Sequence, residues 1–462
     1  MSEQHSREHL DEAGSAGRGP RAPDVIGVLG AGTMGAGIAQ LACRAGARTL
    51  LHDPIPAALQ RGAARAREGL AKEAAKGRLS ATEAGAAGER LQPVGDLAAF
   101  AECELVIEAV PERLELKHEL YRQLSEIVGE ECVLATNTSS LLVTAIAAGA
   151  THPERVVGMH FFNPPPLMRL LEVIAGEQSS ERALSVAQAT GEAMGKTVIR
   201  ANDGPGFLVN RCNRPFALEA MRILQERIAD VETIDRTLRV EGGFRMGPFE
   251  LMDLVGIDTG FEISQSFFAQ SFGEPRWRPS PIQARYVAAG LHGRKTGRGF
   301  YNYSNGPHRP PDPDPDPDPD PDADADADAD PDRAAGGADA KVRPAGAADT
   351  DVRPAPGGVL ERIVCQVINE CAFALGEGVG SAEDIDTGMV LGLNYPRGPL
   401  SWADEIGLPH VLAVLDLLWE EYREERYRAA PALRGLVRAG RLGRASGSGF
   451  FSYDDASTSA SP

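Results

Sequence analysis

Cysteine is scarce and scattered. The 462 residues hold six, Cys43, Cys103, Cys132, Cys212, Cys365 and Cys371, with no Cys-x-x-Cys spacing and no cluster of histidines around them. That distribution fits neither a disulfide framework nor a zinc site, so no metal is expected and a reducing compartment is the simpler reading. Long apolar runs are missing as well: no stretch of about 18 apolar residues occurs, which excludes a membrane-spanning helix of the usual kind. Residues 1–23 mix Glu3, Arg7, Glu8, Asp11 and Arg18 with glycine and serine and lack an apolar signal core. A disordered N-terminal tail and a cytoplasmic location are expected. Positive charge is in deficit, 47 Lys and Arg against 66 Asp and Glu, for a net of −19. This argues against a nucleic-acid backbone as partner.

The acidity is uneven. Residues 307–356 hold 14 Asp against 5 Lys or Arg, a net of −9, which leaves −10 for the rest of the chain. The segment alternates Pro-Asp and then Ala-Asp, without aromatics and with almost no large aliphatics. It cannot offset its ordering entropy by burial, and it reads as an extended, self-repelling linker. Elsewhere the composition, 42% hydrophobic and 24% charged, supports a substantial core and two to four domains of about 100–200 residues.

From Asp24 a short apolar run, Val25, Ile26, Val28 and Leu29, leads into residues 30–35 (GAGTMG), after which Ile38, Leu41, Ala42 and Ala45 recur at helical spacing. The pattern predicts strand, glycine turn, helix. Further strand candidates lie at 49–51, 105–107, 133–135, 156–159, 173–174 and 196–200, alternating with helical stretches, which predicts a mostly parallel sheet. A turn cluster (DGPG, 203–206) follows, and from Phe207 the chain reads as all-helical. The expected organisation is a tail over 1–23, a Rossmann-type α/β domain over 24–203, a helical domain over 204–306, the linker over 307–356, a second helical copy over 357–455 and a tail over 456–462. The copy is read from a constant offset. Glu219, Asp235, Gly247, Pro248, Asp253 and Gly256 recur 151 positions later as Glu370, Asp386, Gly398, Pro399, Asp404 and Gly407. Residues 293–303 (GRKTGRGFYNY) recur at an offset of 150 as 443–453 (GRASGSGFFSY). One residue of slippage over such a span points to a duplicated helical domain.

A lone GxGxxG means little, but this one follows a strand and opens a helix, and Asp53 ends the next strand candidate 23 residues after Gly30. Gly30 permits the turn, Gly32 lets backbone approach a pyrophosphate, and Gly35 lets helix and strand pack closely. Asp53 accepts hydrogen bonds from a ribose and repels a 2′-phosphate, which favours NAD over NADP. His160 ends the apolar run 156–161 (VVGMHF), and Glu172 lies 12 residues on, leading Val173 and Ile174. An imidazole that takes a proton from an alcohol needs a group to fix its tautomer and stabilise its cation, and a carboxylate in a buried strand needs a partner. The two form a plausible base and orienting pair. Residues 137–140 (NTSS) also follow a strand candidate; they read equally as an N-cap for a helix beginning near Leu141 or as substrate-facing groups.

Together the glycine turn, NTSSL (137–141), HFFNP (160–164), LEVI (171–174) and PGFLVNR (205–211) resemble the L-3-hydroxyacyl-CoA dehydrogenases. The resemblance runs from about Asp24 to Tyr303 and resumes in the second helical copy. It implies NAD as cofactor, an acyl-CoA substrate, His160 as base with Glu172 as its partner, and Ser139 and Asn210 on the substrate's 3-oxygen. It also implies Glu112, Lys117 and Asn137 beside the cofactor, with Thr33 and Met34 inside the glycine turn. Residues 242–253 (GGFRMGPFELMD) look like the bacterial 3-hydroxybutyryl-CoA and 3-hydroxyadipyl-CoA subgroup. CoA phosphates are expected near Arg65, Lys72 and Lys76, whose simpler reading is a solvated helix face. A dehydrogenase of a free hydroxy acid and a non-catalytic cofactor-binding protein are the alternatives, and homo-oligomerisation stays open.

Overall fold

The computed structural model describes residues 21–304, 306, 308 and 358–453. The tails and linker expected from sequence therefore fall almost wholly outside the described residues. The chain divides into two compact units between Asp203 and Gly204.

The first unit is built on one eight-stranded sheet: β1 Val25–Leu29, β2 Arg48–His52, β3 Leu91–Val94, β4 Leu105–Glu108, β5 Val133–Thr136, β6 Val156–Phe161, β7 Leu170–Ala175 and β8 Thr197–Asn202. Strand order is β3-β2-β1-β4-β5-β6-β7-β8. Its first six strands follow the doubly wound order, in which the chain reverses direction across the sheet at β1 and β4. All neighbours pair parallel except β6 and β7. The strands read as continuous apolar runs because helices cover both faces. These are α1 Thr33–Arg44, α2 Pro56–Ala75, α3 Ala81–Glu89, α4 Leu114–Ile127, α5 Val143–Ala147 and α6 Glu181–Ala193. Ile26, Val28, Ile107, Val157 and Val173 from the strands meet Ile38, Leu41, Ala63 and Ala187 from the helices in a single core. Strand β3 was not foreseen. It has four residues, one of them Pro93, and it can exist only as an edge strand because proline cannot donate to a further neighbour.

The second unit has no strand among the described residues. It contains α7 Val209–Cys212, α8 Arg214–Gln225, α9 Val231–Val240, α10 Pro248–Val255, α11 Ile257–Gln270 and α12 Pro281–Ala288, then α13 Gly358–Gly376, α14 Ala382–Leu393, α15 Pro399–Ile406, α16 Leu408–Tyr422 and α17 Pro431–Arg438. The repeated residues do the same work twice. Asp235 accepts from the Phe249 and Glu250 amides that open α10, and Asp386 accepts from Leu400 and Ser401 at the start of α15. Asp253 accepts from Phe300 N, Tyr301 N and the Tyr303 hydroxyl; Asp404 accepts from Phe450 N, Phe451 N and the Tyr453 hydroxyl. Gly299 and Gly449 recur because a Cβ there would fall about 2 Å from those aspartate carboxylates. Helix α13 packs on α7, α8 and α9.

Candidate active site

The chemistry gathers at the carboxyl ends of the strands. Gly30, directly after β1, has φ +90°, and a side chain there would meet the Ala109 carbonyl at 2.5 Å, so only glycine permits the crossing beside β4. Its amide donates to His52 O at 2.8 Å. A Cβ on Gly35 would overlap the Gly30 carbonyl at 1.8 Å, whereas Gly32 faces open space. Gly32 is the N-cap of α1 and offers no side-chain cap to the helix's first amides. This leaves a cradle with the positive end of a helix dipole, which suits a pyrophosphate. Asp53, one residue past β2, accepts from Ala31 N at 3.0 Å through Oδ2 and from Ile55 N at 2.9 Å through Oδ1. The carboxylate is thereby fixed against the turn, as ribose recognition requires. Thr33 accepts a hydrogen bond from exposed Arg65 at 3.0 Å. Arg65 therefore stands over the glycine turn, while Lys72 and Lys76 remain on the exposed face at the end of α2.

Across β6 and β7, His160 lies directly opposite Glu172 in the antiparallel register. Nδ1 and Oε2 are 2.6 Å apart, and both side chains are buried. With Nδ1 held by the carboxylate, the imidazole is fixed in orientation and tautomer.

A buried charge network links β4, α4 and the segment after β5. Glu108, fully buried at the end of β4, accepts from Lys117 Nζ through both carboxylate oxygens at 2.8 Å, and it accepts further hydrogen bonds from Thr136 Oγ1 and Val110 N. Lys117 also reaches Glu112 at 3.2 Å. Glu112 accepts from the Thr138 hydroxyl at 2.9 Å and from Ser139 N at 2.7 Å, holding the Ser139 backbone in place. Tyr121 is buried against this group, and burial together with the Glu108 charge pushes its hydroxyl well above the usual phenol range. Glu108 escaped the sequence reading. Its signal was a carboxylate closing an apolar strand with a lysine nine positions on, an arrangement that must be paired if it is buried.

Asn137 Oδ1 accepts from Phe161 N at 2.9 Å, tying the ends of β5 and β6 together. The N-cap reading of residues 137–140 is overturned. Helix α5 begins at Val143, and its free amides, Val143 N and Thr144 N, are capped by Asp203 from the turn after β8. Thr138 instead closes its own turn by accepting from Leu141 N. Ser139 is exposed. Asn210 sits on α7 in the second unit, its carbonyl accepting from Arg214 Nε.

A doubly wound sheet with this turn at its switch point and a histidine–carboxylate pair on the same edge defines a dinucleotide-dependent dehydrogenase. The family model "3-hydroxyacyl-CoA dehydrogenase, NAD binding domain" matches residues 25–204, and "3-hydroxyacyl-CoA dehydrogenase, C-terminal domain" matches 206–303 and 357–453. The chain belongs to the 3-hydroxyacyl-CoA dehydrogenase family and is an NAD-dependent oxidoreductase of 3-hydroxyacyl-CoA thioesters. It is 36% identical to the 3-hydroxyadipyl-CoA dehydrogenase of Escherichia coli K12, over 88% of this chain and 96% of that one. It is 42% identical to a probable 3-hydroxybutyryl-CoA dehydrogenase of Deinococcus radiodurans, over 60% of this chain and 99% of the relative. The crystal structure of 3-hydroxybutyryl-CoA dehydrogenase from E. coli K12 superposes with a TM-score of 0.79 at 33% identity, covering 92% of this chain and all of that one.

Proposed function

We propose that the chain oxidises an L-3-hydroxyacyl-CoA reversibly to the 3-ketoacyl-CoA, with a short or dicarboxylic acyl group, and that His160 is the general base. His160 Nε2 takes the 3-hydroxyl proton, and Glu172 stabilises the imidazolium that results in a poorly solvated setting. NAD, when bound, accepts the hydride that leaves C3. Gly30, Gly32, Thr33, Met34, Gly35 and Asp53 are the residues proposed to hold its pyrophosphate and ribose, with Glu112, Lys117 and Asn137 beside it. Ser139 and Asn210 are assigned to the substrate's 3-oxygen. For Asn210 the assignment rests on the resemblance of residues 205–211 to the family motif. The second helical copy is structural in this reading, because the position 151 after Asn210 is Glu361. All six cysteines are buried and unbridged, which supports a cytoplasmic setting.

The observation that carries the proposal is the buried 2.6 Å contact between His160 and Glu172. The test is NADH oxidation with acetoacetyl-CoA, against a panel of free keto acids, by the wild type and by His160→Ala. We expect turnover of the thioester alone, reduced about 100- to 10,000-fold in the variant, with NADH binding by fluorescence retained. Near-normal turnover by the variant removes His160 from the mechanism, and a preference for the free acids overturns the substrate assignment.

A further inference from the structure

Three arginines of the second unit, Arg211, Arg214 and Arg362, differ in what they meet. Arg211 donates to Glu370 at 3.0 Å and to Glu377 at 2.6 Å; Arg362 donates to Glu219 at 2.5 Å and to Glu226 at 2.8 Å. Burial opposes the charge of each, yet the facing carboxylates prevail and raise both pKa values. Arg214 is the exception. Its Nε donates to the Asn210 carbonyl and its Nη1 to Ser264 Oγ, both at 3.3 Å, and the guanidinium lies 5.0 Å from the Phe267 ring. Among the described residues no carboxylate pairs with it. Burial pulls its pKa down to about 10, as expected of a cation that has lost water without gaining an anion.

The helical fold itself does not require this arginine. The offset of 151 carries Arg214, Ser264 and Phe267 to Cys365, Leu415 and Leu418, and all three of those are buried apolar side chains. The second copy closes the same corner between α13 and α16 with no polar group. The first copy instead keeps a cation, a buried hydroxyl and an aromatic face. It does so at the start of α8, four residues and about one helical turn (about 5.4 Å) beyond Asn210 on α7, the residue assigned above to the substrate's 3-oxygen.

From this contrast we infer that Arg214 is a specificity residue that receives the terminal carboxylate of a dicarboxylic acyl group, so that the preferred substrate is a six-carbon 3-hydroxy dicarboxylic thioester. This rests on the functional reading above and narrows it. A guanidinium presents a planar fork of donors that a carboxylate fills in bidentate fashion, and Nη2 and the second Nη1 hydrogen are not used by the contacts above. In the six-carbon substrate the distal carboxylate oxygens are four bonds from C3, about 5 Å in an extended chain, close to the length of a single helical turn. No covalent step is involved; Arg214 binds and orients.

The test compares 3-hydroxyadipyl-CoA with 3-hydroxyhexanoyl-CoA, which has the same chain length and the same CoA but ends in a methyl group. In the wild type we expect kcat/KM to favour the dicarboxylic thioester by about 10- to 100-fold, the range of a hydrogen-bonded charge pair. Arg214→Met should bring that ratio close to one, and Arg214→Lys should restore part of it. A wild-type ratio at or below one overturns the inference without needing any variant, as does an equal loss on both thioesters in Arg214→Met, which marks a structural or CoA-phosphate role. Turnover of the hexanoyl thioester alone sinks the Arg214 inference and leaves the dehydrogenase reading standing. Failure of the wild type on both of these and on acetoacetyl-CoA sinks the broader reading.

Discussion

Replacing Arg362 with methionine should destabilise the helical unit far more than replacing Arg362 and Glu219 together. Arg362 has no exposed surface, and its five donor contacts go to Glu219, Glu226, Tyr422 and Tyr427. Glu226 keeps the Tyr422 hydroxyl and some solvent, so it loses little. Glu219 does not have that recourse: its side chain is 4% exposed, and the variant leaves it with the Tyr427 hydroxyl as its remaining contact in this cluster. Stranding a buried charge in this way costs about 3–5 kcal/mol, a large share of the roughly 5–15 kcal/mol that holds a domain together. For a unit of this size the melting midpoint should fall by roughly 6–20 °C. Adding Glu219→Leu removes the stranded charge and should recover most of the loss, because an apolar pair of similar volume is about as stable as a buried ion pair. All three tryptophans, Trp277, Trp402 and Trp419, lie in the helical unit, so tryptophan fluorescence during thermal or urea unfolding reports on that unit alone. The mirror-image Arg211→Met, which leaves Glu370 its two hydrogen bonds from Arg276, should cost less. The reasoning fails if the double variant is as unstable as Arg362→Met, or if the single variant loses less than about 1 kcal/mol.

Two further outcomes follow from the first unit. Asp53→Ala, with a basic residue added beside it, should raise the KM for NADH about tenfold or more and admit NADPH, since it removes the group proposed to accept ribose hydroxyls; steady-state kinetics with both cofactors decide, and a wild type that already prefers NADPH contradicts this role. Lys196 is buried, with its ammonium donating to the Pro165 and Met168 carbonyls, and burial, helped by Arg44, pulls its pKa down to about 8 from 10.5. The unfolded chain therefore holds a proton that the folded chain has released between those values, and this group's contribution to stability should rise by up to about 3 kcal/mol as pH goes from 8 to 10.5. Urea unfolding across that window should show the rise in the wild type and a flatter profile in Lys196→Met; parallel profiles would assign the dependence to other groups.

Much of this architecture was legible because it is written in local pattern. Apolar runs closing in a glycine, an aspartate or a histidine placed β1, β2 and β6 and their terminal groups, since a strand buried on both faces must be apolar throughout and can turn polar only at its end. The helical repeat was legible because Asp253 and Asp404 hold the same loop of backbone amides, which fixes the glycines around them. The features that escaped depend on contacts far apart in sequence. Asp203 read as part of a turn, yet it caps a helix that begins 60 residues earlier. Glu108 lies one residue past the strand candidate 105–107, and its burial against Lys117 became visible only when α4 folded back on β4. Arg214 lies three residues past the PGFLVNR motif and has no role implied by it, and the absence of a paired carboxylate among the described residues is a property of the surrounding helices.

The single reversal in the sheet explains why His160 and Glu172, the proposed base and its partner, are only 12 residues apart. Parallel neighbours need a crossover of a dozen residues or more, usually a helix, before the chain can return alongside itself. Strands β1, β4, β5 and β6 accept that constraint, and it brings all their carboxyl ends to one edge, where the dinucleotide turn and the Glu108–Lys117–Glu112 network lie. At β6 the constraint is dropped. An antiparallel partner returns within a short connection and sets side chains directly opposite each other, so His160 faces Glu172 through strand register alone. Two residues held by eight-stranded backbone pairing have little freedom to separate, and neither sits on a loop that must be ordered separately. The parallel part of the sheet thus gathers groups from distant parts of the chain to one edge, and the antiparallel pair supplies there a contact of fixed length. A substitution that shifted the β6–β7 register by one residue would turn His160 and Glu172 to opposite faces and break the contact.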